Sequence, residues 1–197
     1  MGDVMPDEPN DLELIARYKK GDVAALDVLV RRYQRQLFGY IIKMSGNAAD
    51  ADEIFQATWF KVIKKIGSYR HKNFLGWLVR IAHNAVIDRS RRKKPNVSLD
   101  AETSEGGTLE AVLTDNGPAP HNRMENGDLA AAIADAVSGL PQKQKEVFLL
   151  RTEAELPFKE IAEIQKASIN TVLARMQYAL EKLRVDLKES YNELQRI

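Results

Sequence analysis

Apolar residues recur at steps of three and four along most of this chain, and that spacing leaves little choice of secondary structure. One face of an α-helix repeats at this interval, whereas a half-buried strand would alternate every second residue. No convincing alternation and no internal repeat occurs in the 197 residues. The sequence therefore predicts an all-α fold. The clearest series, in residues 69–94, is Phe74, Trp77, Leu78, Ile81, Ala82, Ala85 and Val86.

Capping residues and glycines divide residues 1–95 into four predicted helices. Asn10 is suited to begin the first helix, and Gly21 to end it. Gly46 ends the second helix and Asn47 begins the third. With the helix in residues 69–94, these segments predict one helical bundle. The predicted buried faces of the second and third helices are Leu26, Leu29, Val30, Tyr33, Leu37, Tyr40 and Ile41, then Ile54, Phe55, Trp59, Val62, Ile63 and Ile66.

Residues 96–127 lose the apolar period and are rich in proline, glycine and acidic residues. We expect a flexible acidic linker there, with a short helix near residues 109–113. A loop of this length within one domain would be unusual, so it marks a boundary between a domain at 1–95 and another at 128–197.

The net charge of +1 conceals a strong pattern along the chain. Residues 59–95 hold 11 Lys and Arg against Asp88 alone, a net of +10, and residues 96–139 hold 8 acids against Arg123, a net of −7. A cationic amphipathic helix suits a phosphate backbone. The alternative is an ordinary solvated helix end, where cations also stabilise the helix dipole. The residues alone leave both open.

Residues 157–187 follow the order short helix, tight turn, longer helix, which is typical of a helix-turn-helix. An ordinary helical hairpin is the alternative. Ser168 is suited to cap the second helix after the turn at 165–167. The predicted inner faces are Phe158, Ile161, Ala162 and Ile164, then Ile169, Val172, Met176, Leu180 and Leu183. The predicted outward groups, several of which can read base edges, are Asn170, Thr171, Ala174, Arg175, Gln177 and Tyr178.

Other function classes find little support in the sequence. There is no cysteine, and His71, His83 and His121 are scattered. Nucleotide-binding, zinc-protease and serine-hydrolase motifs do not occur, so we expect no enzyme, no cofactor and no metal. We expect His83 at the surface or near a phosphate. The acidic start and the lack of a long apolar run predict a cytoplasmic protein without membrane insertion.

Two runs in the first domain and several short motifs in the second resemble the extracytoplasmic-function group of bacterial RNA polymerase sigma factors. Residues 50–59, DADEIFQATW, are similar to the family's D-A-E-D-x-x-Q-E-T-F, and residues 74–84 match F-x-x-W-L-x-R-I-A-x-N. In the second domain the similar elements are Leu140-Pro141, Glu146-Val147-Phe148, Glu160-Ile161-Ala162, and Asn170-Thr171-Val172 with Arg175.

The resemblance implies sigma region 2 in the first domain and a region 4 helix-turn-helix in the second. It implies a protein that is monomeric when free and binds core RNA polymerase, through the clamp helices of the largest subunit and the flap of the second-largest. It also implies promoter binding and melting, an anti-sigma factor, and a linker that runs through the polymerase cleft. A stand-alone helix-turn-helix regulator is the alternative function.

The resemblance also assigns three sets of residues. Trp77, by contrast, lies on the apolar stripe of its helix and is for that reason expected to pack in the core rather than against a base. The expected polymerase contacts are Asp50, Asp52, Glu53 and Gln56; the minus-ten contacts are His71, Lys72, Asn73, Arg80, Asn84, Arg91 and Arg92; and the minus-thirty-five contacts are Ser168, Asn170, Thr171, Arg175, Gln177 and Tyr178.

Overall fold

The computed structural model describes residues 9–70, 73–93 and 126–194, and within these ranges the chain is helical and has no strand. The all-α prediction is confirmed. A short 3-10 turn, Ile66–Ser68, follows the third helix. The helices are α1 (Asp11–Lys19), α2 (Val23–Ser45), α3 (Ala48–Lys65), α4 (Phe74–Lys93), α5 (Asn126–Ser138), α6 (Gln142–Thr152), α7 (Phe158–Gln165) and α8 (Ile169–Leu194).

The helix boundaries in the first module, α1–α4, follow from local chemistry. The Asn10 carboxamide accepts a hydrogen bond from the Glu13 amide at 3.0 Å, and the Glu13 carboxylate accepts one from the Asn10 amide at 3.0 Å. Asn47 caps α3 by accepting from the Asp50 amide at 3.0 Å. Gly46 ends α2 with a φ of +65°, a conformation that favours glycine. These predicted boundaries are confirmed.

Helix α2 lies at the centre of the first module and contacts α1, α3 and α4. Leu29, Leu37, Tyr40 and Ile41 of its predicted face are fully buried. The same prediction for α3 is wrong at Ile63, which is 42% exposed. Ile63 lies about 100° around the helix from the buried Val62, so it falls beyond the edge of the apolar face.

The second module, α5–α8, packs around the long helix α8, which contacts α5, α6 and α7. Val172, Ala179 and Leu183 are buried there. The predicted inward positions Ile169 and Leu180 are wrong, since they are 47% and 48% exposed. Ala179 takes the inner position instead of its neighbour Leu180, which lies about 100° around the helix.

The two modules pack against each other, α2 against α6 and α4 against α7. The expected linker at 96–127, with its short helix near 109–113, lies outside the described residues except where α5 begins at Asn126. None of the helices in the described ranges combines the length and the apolar content needed to cross a membrane.

Candidate nucleic-acid and partner surfaces

The N-terminal half of α3 presents polar side chains to solvent. Asp52, Glu53 and Gln56 are exposed, as a docking surface requires. Acids at this end of a helix are also favoured by its dipole. Three of the four residues predicted to contact a partner enzyme therefore lie on an open face.

Asp50, the fourth of these residues, corrects the prediction because it is buried, with 5% exposure. Its carboxylate accepts hydrogen bonds from Arg89 on α4, at 2.7 Å from Nη2 and 3.1 Å from Nε. Arg89 also pairs with Glu53 at 2.8 Å. The hydrogen bond to Asp50 is the main reason that the pKa of Arg89 is raised. Asp50 therefore joins α3 to α4, and it is unavailable to a partner.

An exposed aromatic residue extends the α3 face beyond the acids. Phe60 is 59% exposed and lies one helical turn after Gln56, and the Lys64 ammonium stands 4.2 Å from its ring centroid. The sequence analysis did not predict Phe60 as a partner contact. The residue lies off the apolar stripe that runs through Trp59 and Val62. That offset was the available signal, since an apolar residue outside the stripe has no place in the core.

Aromatic side chains stabilise the start of α4. The ring of Trp77 lies 5.0 Å from that of Tyr69 and 5.7 Å from that of Phe74, centroid to centroid. Trp77 is partly buried against the core, which confirms its predicted packing role. Asn73 caps the helix by accepting a hydrogen bond from the Gly76 amide at 3.1 Å.

The remaining minus-ten candidates follow one side of α4. Asn84, Arg91 and Arg92 are exposed, and Arg80 is partly exposed. His71 and Lys72 lie outside the described residues. The side that faces solvent thus offers an amide and three guanidinium groups, which suit phosphates and unpaired bases.

The start of α8 has the geometry expected of a recognition helix. Ser168 caps it by accepting a hydrogen bond from the Thr171 amide at 3.1 Å, and the hydroxyls of these two residues lie 2.8 Å apart. Asn170, Gln177 and Tyr178 are exposed, as is Thr171. The turn before α8 contains no glycine. Lys166 takes the left-handed conformation there instead, with a φ of +52°.

Arg175 differs from the other recognition candidates because its guanidinium is tied to the turn. It donates to Gln165 Oε1 at 2.8 Å, and Gln165 donates onward to Glu146 Oε2 at 2.9 Å. Glu146 is fully buried and also accepts from Lys143 Nζ at 3.1 Å. This chain of contacts connects α6, the turn and α8, so the orientation of the helix-turn-helix depends on a buried carboxylate.

His83 contradicts its predicted surface position, since it is 5% exposed. Its Nδ1 lies 2.9 Å from the hydroxyl of Tyr40, which is fully buried on α2. Burial lowers the pKa of His83, an effect that the charge of Glu146 opposes and that of Lys143 reinforces. Burial likewise raises the pKa of Tyr40. His83 is a neutral core residue near the junction of the modules.

Acids of the second module contact two of the minus-ten candidates. Asn73 Nδ2 donates to Glu160 Oε1 at 2.7 Å, and Arg80 Nη2 donates to Glu163 Oε2 at 2.8 Å. Both acids lie on α7. A further ion pair joins Lys43 at the end of α2 to Glu153 after α6. The sequence did not predict these contacts, which join residues more than eighty positions apart.

No group of three or more histidine, aspartate or glutamate side chains suited to a metal occurs among residues 9–70, 73–93 and 126–194. The described surfaces offer amides, hydroxyls and guanidinium groups, which are suited to recognition, together with one acidic and aromatic face on α3.

Comparison with known proteins matches each of the two modules to a protein family. Residues 29–95 match the family model "Sigma-70 region 2", and residues 130–183 match "Sigma-70, region 4". The ECF RNA polymerase sigma factor SigW of Bacillus subtilis (strain 168) is 33% identical over 178 residues, which cover 89% of this chain and 95% of that protein.

Two solved structures share the fold. CnrH in complex with the cytosolic domain of CnrY matches with a TM-score of 0.65 and 20% identity, over 91% of this chain and 97% of that one. The sigma factor RpoE in complex with the anti-sigma factor NepR from Bartonella quintana matches with a TM-score of 0.62 and 22% identity, over 84% and 98%.

Proposed function

The chain belongs to the extracytoplasmic-function group of bacterial RNA polymerase sigma factors, and from that premise we propose which of its surfaces bind the polymerase and which bind promoter DNA. It acts as a sigma factor, which binds core RNA polymerase and directs promoter-specific initiation of transcription. The observation that carries this function is the presence of regions 2 and 4 in one chain, matched to a relative over nearly its whole length. We assign no bond-forming step to the chain, because RNA synthesis belongs to the polymerase.

The exposed face of α3 is the proposed dock for the clamp helices of the largest polymerase subunit. Asp52, Glu53 and Gln56 would steer and orient a basic partner. Phe60 adds the apolar contact that such charges lack, because an exposed aromatic ring loses solvent when a partner covers it. The second module would bind the flap of the second-largest subunit.

Helix α4 is the proposed reader of the minus-ten element. Asn84 and Arg80 would contact the non-template strand, while Arg91 and Arg92 would bind its phosphates. Asn73, with His71 and Lys72 outside the described residues, would hold an unstacked base. Capture of single-stranded DNA favours the melted promoter, so this helix would couple recognition to strand opening.

Helix α8 is the proposed reader of the minus-thirty-five element in duplex DNA. Its first turns carry Asn170, Thr171 and Gln177 as exposed residues, and Tyr178 is exposed as well. An N-terminal half that enters the major groove places such groups at base edges. Ser168 and Arg175 would act mainly by holding the helix start and the turn, given their contacts within the protein.

An inhibitory protein partner is part of the proposal. The structurally similar RpoE of Bartonella quintana is seen in complex with an anti-sigma factor. We expect the present chain to be monomeric when free, to reside in the cytoplasm with its polymerase, and to be restrained by an anti-sigma factor. Affinity capture of the tagged chain from the source cell should recover polymerase subunits and this inhibitor, whereas capture of neither would contradict both assignments.

Transcription reconstituted from purified components tests the function directly. The chain and core polymerase from the source bacterium are incubated with fragmented genomic DNA, and the 5′ ends of the transcripts are mapped. We expect new start sites that share two upstream elements and that need both proteins. An absence of such starts would refute the assignment.

The alternative, a stand-alone regulator, predicts nanomolar binding to a duplex site without polymerase. The length of the match to SigW argues against it, because a helix-turn-helix alone would explain only the second module.

A further inference from the structure

We propose that Gln165 is a positioning residue for minus-thirty-five recognition, and that its carboxamide sets how sharply the chain distinguishes one promoter from another. Gln165 acts through Arg175 and the start of α8 and touches no DNA itself. The inference rests on the proposed function of α8 as the minus-thirty-five reader. The contacts of Gln165 with Glu146 and Arg175 are called the amide bridge below.

The amide bridge requires a hydrogen-bond donor and an acceptor on one side chain. Gln165 Oε1 accepts from Arg175 Nη1 at 2.8 Å, and Gln165 Nε2 donates to Glu146 Oε2 at 2.9 Å. The same Nε2 also lies 3.2 Å from the backbone carbonyl of Lys143. A carboxylate at position 165 has no proton to donate to Glu146, and an ammonium has no lone pair for Arg175. The carboxamide meets both needs at once.

Glu146 gives the amide bridge a fixed end. Its side chain is fully buried on α6, where it also accepts from Lys143 Nζ at 3.1 Å. Val147, Leu149 and Leu150 of the same helix are buried as well, so α6 is anchored in the core of the second module. A buried carboxylate is held to its partners because the loss of one leaves a charge without compensation. Gln165 therefore ties α8 to a helix that does not move.

The turn that the amide bridge spans has little support of its own. Lys166 follows Gln165 directly and has a φ of +52°, a conformation that residues other than glycine rarely adopt. Arg175 lies in the second turn of α8, between the exposed Asn170 and Gln177. A tilt of α8 would therefore move these amides relative to the base edges.

Loss of position should affect sequence discrimination more than general DNA binding. Hydrogen bonds to base edges weaken steeply with small changes of distance and angle. Contacts to phosphates carry no sequence information, so they contribute equally to matched and unmatched promoters. The quantity that the amide bridge controls is thus the preference for one sequence over another.

A competition between two templates in one reaction measures this preference with the complete polymerase complex. One template carries a mapped promoter, and the other carries the same promoter with a scrambled minus-thirty-five element. Core polymerase and the full chain transcribe both, and the ratio of the two run-off products is the discrimination ratio. Because both templates meet the same protein, the ratio does not depend on how much of that protein is active.

An exchange of the two partners tests the contact itself. Gln165→Glu should lower the discrimination ratio by about threefold or more, because it sets a second carboxylate against Glu146. Adding Glu146→Gln should restore the ratio to within about twofold of the natural value, since a donor again faces an acceptor. Glu146→Gln alone should change it by less than about twofold, because its carboxamide still accepts from Gln165.

A second variant removes the hydrogen bonds without adding charge. Gln165→Leu keeps a similar size and should also lower the discrimination ratio by about threefold or more, and Glu146→Gln should not restore it. The matched control is Gln144→Glu, the same substitution at a glutamine of α6 outside the amide bridge, and its ratio should equal the natural one. Circular dichroism checks that each variant is folded.

The outcomes separate positioning from stability and from the sigma function. A natural ratio in Gln165→Leu overturns the inference, as does a loss of both products at an unchanged ratio. A failure of Glu146→Gln to restore Gln165→Glu overturns it too. If Gln165→Glu does not fold, Gln165→Leu decides alone, and failure of both to fold assigns Gln165 to stability and overturns the positioning role. Equal transcription of the two templates by the natural chain counts against α8 as the reader instead.

Discussion

Arg89 binds Asp50 through two nitrogen atoms, with Nη2 at 2.7 Å and Nε at 3.1 Å from the same carboxylate oxygen. This relationship divides a run of acids that look alike in the sequence. Asp50 faces inward and joins α3 to α4, while Asp52 faces solvent two positions later. The two carboxylates should therefore respond differently to substitution.

Asp50→Ala is expected to lower the free energy of unfolding by about 1–3 kcal/mol, because it removes the buried partner of Arg89. Asp52→Ala should change it by less than about 0.5 kcal/mol, since that side chain is exposed. Urea denaturation followed by circular dichroism measures both. Equal destabilisation by the two substitutions would contradict the distinction between an inward-facing Asp50 and a solvent-facing Asp52.

Phe60→Ala is expected to weaken binding to core polymerase by about tenfold or more, because an exposed aromatic ring at a docking surface is a typical anchor. Its stability should be nearly unchanged. Val28→Ala, which shortens an exposed apolar side chain on α2, is the control and should bind normally. Fluorescence titration of labelled chain with core polymerase measures the affinities. Normal binding by Phe60→Ala would remove this residue from the proposed dock.

Asn84→Ala is expected to reduce open-promoter formation by about tenfold, the loss that one base contact typically causes, without changing affinity for core polymerase. Permanganate footprinting measures strand opening, and the titration above measures binding. Ser90→Ala, another exposed polar position on α4, serves as the control. Loss of polymerase affinity in Asn84→Ala would assign the residue a structural role.

Acid should destabilise the fold through His83. Burial lowers its folded-state pKa below the ordinary 6.5, so the unfolded chain binds this proton more readily. The free energy of unfolding therefore falls as the pH drops through about 6.5 towards the folded-state pKa. Above about pH 6.5 the ring is neutral in both states, and His83 causes no loss of stability.

His83→Asn should flatten that dependence below about pH 6.5, because a neutral amide replaces the titrating ring. His71 and His121 are retained, so their contributions are common to both proteins. Thermal or urea unfolding across the pH range measures the effect. An unchanged pH profile in the variant would exclude His83 as the group responsible.

Short-range information in the sequence was sufficient for most helix boundaries and for the apolar faces. Asn10, Gly46, Asn47 and Ser168 cap or end helices through contacts within a few residues, so their roles can be predicted locally. The predictions failed at the margins of those faces, as at Ile63 and Leu180, where a rotation of about 100° decides exposure. Burial at such margins depends on the neighbouring helix.

The sequence by itself determined the helices, because amphipathic periods and caps lie in consecutive residues, and its short motifs carried the resemblance to sigma factors. Only the tertiary structure decided which polar residues remain available to partners. Asp50 and His83 are buried, and Asn73 and Arg80 contact acids of α7. Their partners lie about forty to ninety positions away, beyond the reach of any local pattern, because packing and charge pairing act through space.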